Sequence, residues 1–112
     1  MKTTEVNDMI RSLGYPYTYF AFPEDERPAP PYLCFFYAGG RDFYADGMNY
    51  QVIDELHILR FAPEVDLHAD RRIQKALNSF ALSCRWERWL DEKTGLWVTE
   101  FITEVDIDDD DD

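Results

Sequence analysis

The sequence predicts an α+β domain with a mainly antiparallel sheet, two helices packed on one face of that sheet, and a projecting β-hairpin arm. Two segments show the helical spacing of apolar residues, and the other apolar segments are short, aromatic and bounded by turn residues. Because two helices are too few to connect a parallel sheet by alternation, an antiparallel sheet is favoured. The 112 residues suffice for a single core. We therefore expect one domain over residues 1–105 and a disordered acidic tail over residues 106–112.

The first predicted helix lies near the start of the chain. Its apolar residues are spaced i, i+3, i+4 and i+7, which places them on one stripe: Val6, Met9, Ile10 and Leu13. Thr3 or Thr4 is expected to cap the first turn. Gly14 is expected to end the helix, because Tyr15-Pro16 disfavours its continuation.

The second predicted helix follows Ala62-Pro63 and has Asp66 or Glu64 as its N-cap. We expect an apolar face made of Leu67, Ile73, Ala76, Leu77 and Phe80. Charged residues are expected on the opposite, solvent-facing side: Asp70, Arg71, Arg72 and Lys75. In this interpretation only the apolar face of the helix contacts the sheet.

The predicted strands begin with an aromatic segment over residues 17–22. Residues 23–31 form a loop, because their prolines lack the amide donors that a paired strand needs. Residues 32–37 form the strongest predicted strand, which ends at a turn at Gly39-Gly40. A second turn at Asp46-Gly47 predicts an arm made of residues 42–45 and 49–61. The last hairpin is expected over residues 84–105, with its turn at 91–95.

The charge of the chain argues against two classes of partner. The formal net charge is −12, and the residues up to Val105 still carry 17 acidic against 11 basic side chains. An acidic body repels phosphate backbones and anionic lipid surfaces, so we expect no direct nucleic-acid binding and no membrane binding. No apolar stretch approaches the roughly 20 residues that cross a bilayer. Residues 1–13 lack the pattern of a signal peptide, which predicts synthesis in the cytoplasm.

Cys34 and Cys84 are the only cysteines, and they lie in separate apolar segments. We expect two buried thiols in a reducing compartment, while a disulfide between them stays an unsupported alternative. A thiol inside an apolar strand is inert rather than activated for catalysis. The two histidines, His57 in a strand and His68 at the start of a helix, have no nucleophile at a suitable spacing.

Metal-binding patterns are also missing from the sequence. Neither Asp42 with Asp46, nor His57 with His68, nor the terminal aspartates match zinc or calcium spacing. The five glycines form no phosphate-binding loop. We therefore expect a protein that is not an enzyme and that has no cofactor and no specific metal.

A binding role is better supported, because the chain is rich in aromatic residues. Seven tyrosines in 112 residues are a heavy load, and core filling accounts for about half of them. Tyrosine suits subunit contacts, where one end of the side chain is buried and the other is wet. A strand that is apolar on both faces also needs cover on both sides. The candidate interface residues are Tyr32, Phe36, Phe43, Tyr44, Met48, Tyr50, Trp97 and Phe101.

An aromatic and proline pattern carries a family resemblance. It runs through Tyr17-Thr-Tyr-Phe-Ala-Phe-Pro-Glu, Ala29-Pro-Pro-Tyr, Phe43-Tyr-Ala-Asp and Tyr50, and it continues through the second helix and the last hairpin. In this pattern the chain resembles small tail-completion, tail-terminator or head–tail joining proteins of tailed bacteriophages and prophages of Gram-positive bacteria. It departs from them at Arg60 and Phe61, where a tyrosine-threonine end is more usual, and in the terminal aspartates.

The resemblance implies a small α+β subunit that assembles as a ring, typically a hexamer, at the head-proximal end of a tail tube. Its partners would be further copies of itself, the major tail tube protein and the neck or head-completion proteins. It would act in the virion after synthesis in the cytoplasm of the bacterial host. Two alternatives stay open: a capsid-side neck protein, and an acidic binding module that mimics DNA or sequesters a basic partner.

Overall fold

The computed structural model describes residues 1–45 and 49–108, with the backbone alone described for residues 40–45 and 49–52. It contains two helices, α1 (Thr3–Ser12) and α2 (Leu67–Ser79), and a short 3₁₀ turn at Glu24–Glu26. The five strands are β1 (Tyr17–Tyr19), β2 (Tyr32–Ala45), β3 (Asn49–Ala62), β4 (Cys84–Asp91) and β5 (Leu96–Asp106). The described part of the chain therefore forms the predicted α+β domain.

All five strands belong to one mixed sheet with the order β1-β2-β3-β5-β4. The pairs β2–β3, β3–β5 and β4–β5 are antiparallel, whereas β1 pairs with β2 in parallel. The first strand is shorter than predicted and ends at Tyr19, because Phe20 has a φ of +66°, in the left-handed region. The proline-rich connection from Phe20 to Pro31 then returns the chain to the start of β2.

The long β2–β3 hairpin differs from the prediction at Gly39-Gly40. The chain does not turn there. Instead β2 continues through a register shift between Tyr37 and Gly40, where Gly39 adopts a φ of +63°. The predicted turn at Asp46-Gly47 lies outside the described residues. The last described pair of the hairpin is Ala45 with Asn49, which flank that segment.

Both helices pack on the same face of the sheet, which we call the helix face. Val6, Met9 and Ile10 of α1 share one buried cluster with Ile73 and Leu77 of α2. The strand residues of that cluster lie on one side by register: Leu33, Phe35, Leu56, Ile58, Phe101 and Val105. The predicted apolar stripe of α1 is therefore the one that packs.

The observed caps of the two helices agree only in part with the predicted ones. Asp66, one of the two predicted candidates, is the N-cap of α2, and its carboxylate accepts a hydrogen bond from the amide of Ala69 at 3.1 Å. The N-cap of α1 is Lys2 rather than Thr3 or Thr4, and its amide donates to Glu5 Oε1 at 2.9 Å. Gly14 follows α1 with a φ of +87°, which a side chain would strain.

Three predictions about the face of α2 and the end of the chain need correction. Leu67 and Phe80 are exposed rather than packed, and Asp70 is buried rather than solvent-facing. Strand β5 reaches Asp106, so the chain is ordered further than predicted. Asp108 then contacts the amine of Met1 at 2.9 Å. The rest of the predicted tail, residues 109–112, lies outside the described residues.

Candidate assembly interface

The side of the sheet opposite the helices, here called the outer face, is built from the alternate residues of each strand. By register it includes Tyr32, Cys34 and Phe36 of β2 and their neighbours across β3 and β5. Neither of the two described helices packs on it. The connection between β1 and β2 covers one end of it, where the Phe22 ring meets Tyr32 edge-on with centroids 5.4 Å apart.

Tyr32, a predicted interface residue, lies in this covered end. Its ring stacks on Phe61 at 5.0 Å, its exposed fraction is only 4%, and burial raises the pKa of its phenol. Tyr32 therefore stabilises the monomer rather than offering surface to a partner. The prediction was wrong because the sequence pattern gave no sign that the proline-rich connection folds back over the sheet.

Two further predicted residues lie in β5. Phe101 is 0% exposed and belongs to the core cluster on the helix face, so its placement at an interface was wrong. It pairs with Ile58 of β3, and both side chains point towards the helices. Trp97 is half-buried and pairs with Leu90 of β4 near the sheet end. Of these two, only Trp97 keeps surface that a neighbour can reach.

Phe36 is the predicted residue that lies in the middle of the outer face, where it pairs with His57 of β3. Its ring stacks on the imidazole of His57 with centroids 4.9 Å apart and meets Phe20 edge-on at 5.7 Å. Phe20 itself is 67% exposed and holds a backbone conformation that bulky residues rarely adopt. The two rings form an aromatic surface at the exit of β1.

His57 lies between two carboxylates on the same face. Its Nδ1 is 2.6 Å from Glu100 Oε2, and its Nε2 is 3.0 Å from Glu55 Oε1. The hydrogen bond with His57 lowers the pKa of Glu55, burial opposes this, and Arg85 at 3.7 Å supports it. Both ring nitrogens of His57 therefore contact carboxylate oxygens, one from its own strand and one from β5.

The sheet has two edges, and they are unequal. Along one edge, β1 pairs only with residues 33–35 of β2, and the described part of the chain places no strand beside β2 from Tyr37 onward. The other edge is β4, which pairs along its full length with β5 only. Three large apolar side chains of β4 are exposed: Trp86, Trp89 and Leu90. The unpaired backbone groups of this edge, together with these exposed apolar side chains, invite pairing with another chain.

The arm extends beyond the rest of the sheet. Pairing of β3 with β5 starts at Ile53, so the four pairs between residues 42–45 and 49–52 form a two-stranded ribbon. Three predicted interface residues lie in this ribbon, namely Phe43, Tyr44 and Tyr50, and only their backbone pairing is described. Met48 lies outside the described residues.

A buried ionic network under the helix face was not predicted. The Asp70 carboxylate accepts a hydrogen bond from Arg60 Nε at 2.8 Å, from Arg88 Nη2 at 2.7 Å and from the Thr99 hydroxyl at 3.0 Å. Arg88 also lies over the Trp86 ring, 4.8 Å from its centroid. In the described residues no buried side-chain nitrogen or oxygen lacks a partner. Two cations and a hydroxyl therefore satisfy one buried carboxylate.

A signal for this network is present in the sequence. Asp70 lies three residues before Ile73 and seven before Leu77, which places it on the packed stripe of α2. Arg60 lies two residues after Ile58 and four after Leu56 in β3, so it shares the face on which these two residues meet the core. A pair of opposite charges on two apolar stripes predicts a buried pair, whereas counting each charge as solvent-facing misses it.

The remaining chemical groups stay separate. Cys34 is buried and Cys84 half-buried, both are free thiols, and burial raises the pKa of each. Within residues 1–45 and 49–108, no three His, Cys, Asp or Glu side chains are arranged to hold a metal ion. None of the described helices has the length and apolarity to cross a membrane.

Comparison with known proteins does not add an identity. No protein-family model matches this chain. No curated protein matches it either.

Proposed function

We propose that this chain is a structural virion protein of a tailed bacteriophage or prophage, and not an enzyme. As a tail terminator or head–tail joining component, it forms a ring of copies, expected to be a hexamer, at the end of the tail tube. The aromatic and proline pattern over residues 17–50 supports the viral assignment. The observation that carries the assembly role is the combination of two open sheet edges with a two-stranded arm.

The unequal edges support a ring rather than a two-fold dimer. A ring needs two different surfaces on each subunit, which meet head to tail. The outer edge of β2 beyond Phe36 and the edge of β4 are such a pair, and main-chain pairing between them would extend the sheet from one copy to the next. Trp89 and Leu90 on β4 would then be buried against the neighbour.

The arm supports contact with a second kind of partner. Its ribbon carries Phe43, Tyr44 and Tyr50 away from the sheet that β3 and β5 share. Aromatic side chains on a projecting ribbon suit insertion against a neighbouring copy or the tail tube protein. The acidic charge of −12 fits a ring through which DNA passes, because it repels the phosphate backbone.

Deleting the gene from the lysogenic strain that carries it tests this proposal. After induction, electron microscopy is expected to show overlong tails or tails without heads, and the wild-type gene supplied on a plasmid restores normal particles. Particles of normal length with attached heads in the deletion strain would contradict the proposal. Heads that fail to retain DNA, beside tails of normal length, would favour the capsid-side neck protein.

A matched pair of variants tests whether the restoration of normal particles depends on the β4 edge. Trp89→Lys with Leu90→Lys is expected to give a folded protein that does not restore particles, because both side chains are exposed and lysines on an edge strand oppose pairing with a neighbour. Val65→Lys is the control, since Val65 is also exposed and apolar but belongs to the connection between β3 and α2, outside both edge strands. Restoration by both variants would rule out β4 as the contact.

A further inference from the structure

The connection between β1 and β2 displays an aromatic ring and an acidic turn close together. Phe20, its first residue, is 67% exposed and has a φ of +66°, which bulky residues rarely adopt. The 3₁₀ turn at Glu24–Glu26 follows with three consecutive exposed carboxylates. Within the described residues none of the three forms an ion pair. A strained backbone that holds a large apolar ring in solvent is typical of functional surfaces.

A depression of about 340 Å³ between the end of α1 and α2 has the complementary chemistry. The apolar part of its lining consists of Leu13, Ile73 and Ala76. Arg72 and Lys75 also line it, and both are exposed. In the part of the chain that the structure describes, neither cation has a carboxylate within ion-pair distance. Arg72 instead donates a hydrogen bond from its Nη2 to the Tyr15 hydroxyl at 3.4 Å.

The charge of this depression is opposite to that of the chain as a whole. The net charge of the chain is −12, yet none of the described residues that line the depression is acidic. The acidic turn has three negative charges, which only the adjacent Arg27 offsets. An apolar surface with two cations therefore matches a connection that carries an aromatic ring and carboxylates.

The two surfaces lie on opposite faces of the sheet. Phe20 contacts Phe36 and Phe22 contacts Tyr32, and both contacts are on the outer face. The acidic turn begins two residues after Phe22. The depression lies between the two helices, on the helix face. Because the sheet separates the two surfaces within one chain, a second copy is the partner that brings them together.

We propose that the β1–β2 connection of one copy docks on the α1–α2 depression of a second copy. The Phe20 ring packs against the apolar lining, and the carboxylates of Glu24–Glu26 approach Arg72 and Lys75. The contact is head to tail, because the two surfaces differ. This inference rests on the proposed self-assembly, and it adds a contact between the faces of the sheet to the contact between its edges. An aromatic anchor with charged groups around it is a common arrangement in binding hot spots.

Sedimentation velocity of the full-length protein over a concentration series tests this proposal. The wild type is expected to self-associate, and to do so more weakly as the salt concentration rises. Glu24→Lys with Glu26→Lys is expected to weaken the association about tenfold or more, and so is Arg72→Glu with Lys75→Glu. Phe20→Gly removes the aromatic anchor and is expected to weaken it about tenfold.

An equimolar mixture of the two charge-reversed proteins separates a lost contact from a damaged fold. In each protein alone, the turn and the depression carry charge of the same sign and repel each other. In the mixture, the turn of one protein matches the depression of the other, so association about tenfold tighter than for either protein alone is expected. Lys93→Glu is the matched control for Lys75→Glu, since both lysines are exposed, and it is expected to change association less than about twofold.

A wild type that stays monomeric at millimolar concentration would overturn this proposal. So would charge-reversed proteins that associate as tightly as the wild type, or a mixture that associates no more tightly than its components. These solution measurements do not depend on tail morphology, so their failure leaves the proposed virion role intact. Normal particles in the deletion strain would contradict that role without changing the result in solution.

Discussion

Charged side chains are paired on both faces of this sheet, but they are buried to different degrees on the helix face and on the outer face. On the helix face, Asp70 shares its carboxylate with two arginines and a threonine beneath α2, next to a core closed by Phe101. On the outer face, His57 lies between Glu55 and Glu100, on the side away from both described helices. The comparison teaches that the monomer is stabilised mainly on one side. The other side holds aromatic and ionic groups at partial exposure, where a neighbour can contact them.

The largest expected effect comes from breaking the network on the helix face. Asp70→Ala leaves Arg60 buried without its carboxylate, which is expected to cost about 3–5 kcal/mol in the free energy of unfolding. Asp8→Ala is the matched control, because it removes an exposed partner of Arg11 at a similar distance. Urea denaturation of both proteins checks this. Equal losses would show that burial does not distinguish the two pairs.

Truncating one phenylalanine on each face sharpens the comparison. Phe101→Ala removes a fully buried ring and is expected to lower the free energy of unfolding by about 3–5 kcal/mol. Phe36→Ala removes a half-buried ring with contacts to Phe20 and His57, and a loss of about 1–2 kcal/mol is expected. Thermal unfolding followed by circular dichroism measures both. A larger loss for Phe36→Ala would reverse the assignment of the two faces.

A substitution at Phe20 tests whether this exposed ring on the outer face stabilises the monomer or contacts a partner. Phe20→Gly relieves a left-handed residue but loses the edge contact with Phe36, so the free energy of unfolding is expected to change by less than about 1 kcal/mol. Phe22→Gly loses an aromatic contact with Tyr32 without relieving a positive φ, and it is expected to destabilise more. In the deletion strain, Phe20→Gly is expected to restore fewer particles than wild type. A strongly destabilised Phe20→Gly protein would contradict this view.

The smallest expected effect is a pH dependence on the outer face. The hydrogen bond with His57 holds the pKa of Glu55 below its usual value of 4.5. Since the folded protein favours the ionised form, this stabilisation is present above pH 4.5 and is lost as the pH falls through the lowered pKa. Urea denaturation from pH 6 to about pH 3 is expected to show a steeper fall for wild type than for Glu55→Gln. Parallel curves would mean that the ion pair contributes nothing to the fold.

The elements that could be predicted from the sequence are those that a local residue pattern determines. The stripe of Val6, Met9 and Ile10 follows from helical spacing alone, and the sequence narrowed the N-cap of α2 to Asp66 or Glu64. Two antiparallel hairpins follow from turn residues between apolar runs. The parallel pairing of β1 could not be predicted in this way, because it depends on the path of the connection from Phe20 to Pro31.

The interface residues were harder to predict, since burial depends on what else folds over each strand. Tyr32 and Phe101 have the composition of an interface but are enclosed by their own chain. Phe36 and Trp97 keep exposed surface, while Trp86 and Trp89 on the edge strand offer more of it. Alternation along a strand separates two faces, and only the tertiary packing shows which face is covered.

Cryo-electron microscopy of intact particles from the phage or prophage proposed to encode this chain tests the central claim most directly. We expect density for one ring of this chain at the head-proximal end of the tail tube, with β4 of each copy beside the outer edge of β2 of the next. Particles that lack the chain altogether would contradict the account, as would a ring whose copies meet through other surfaces.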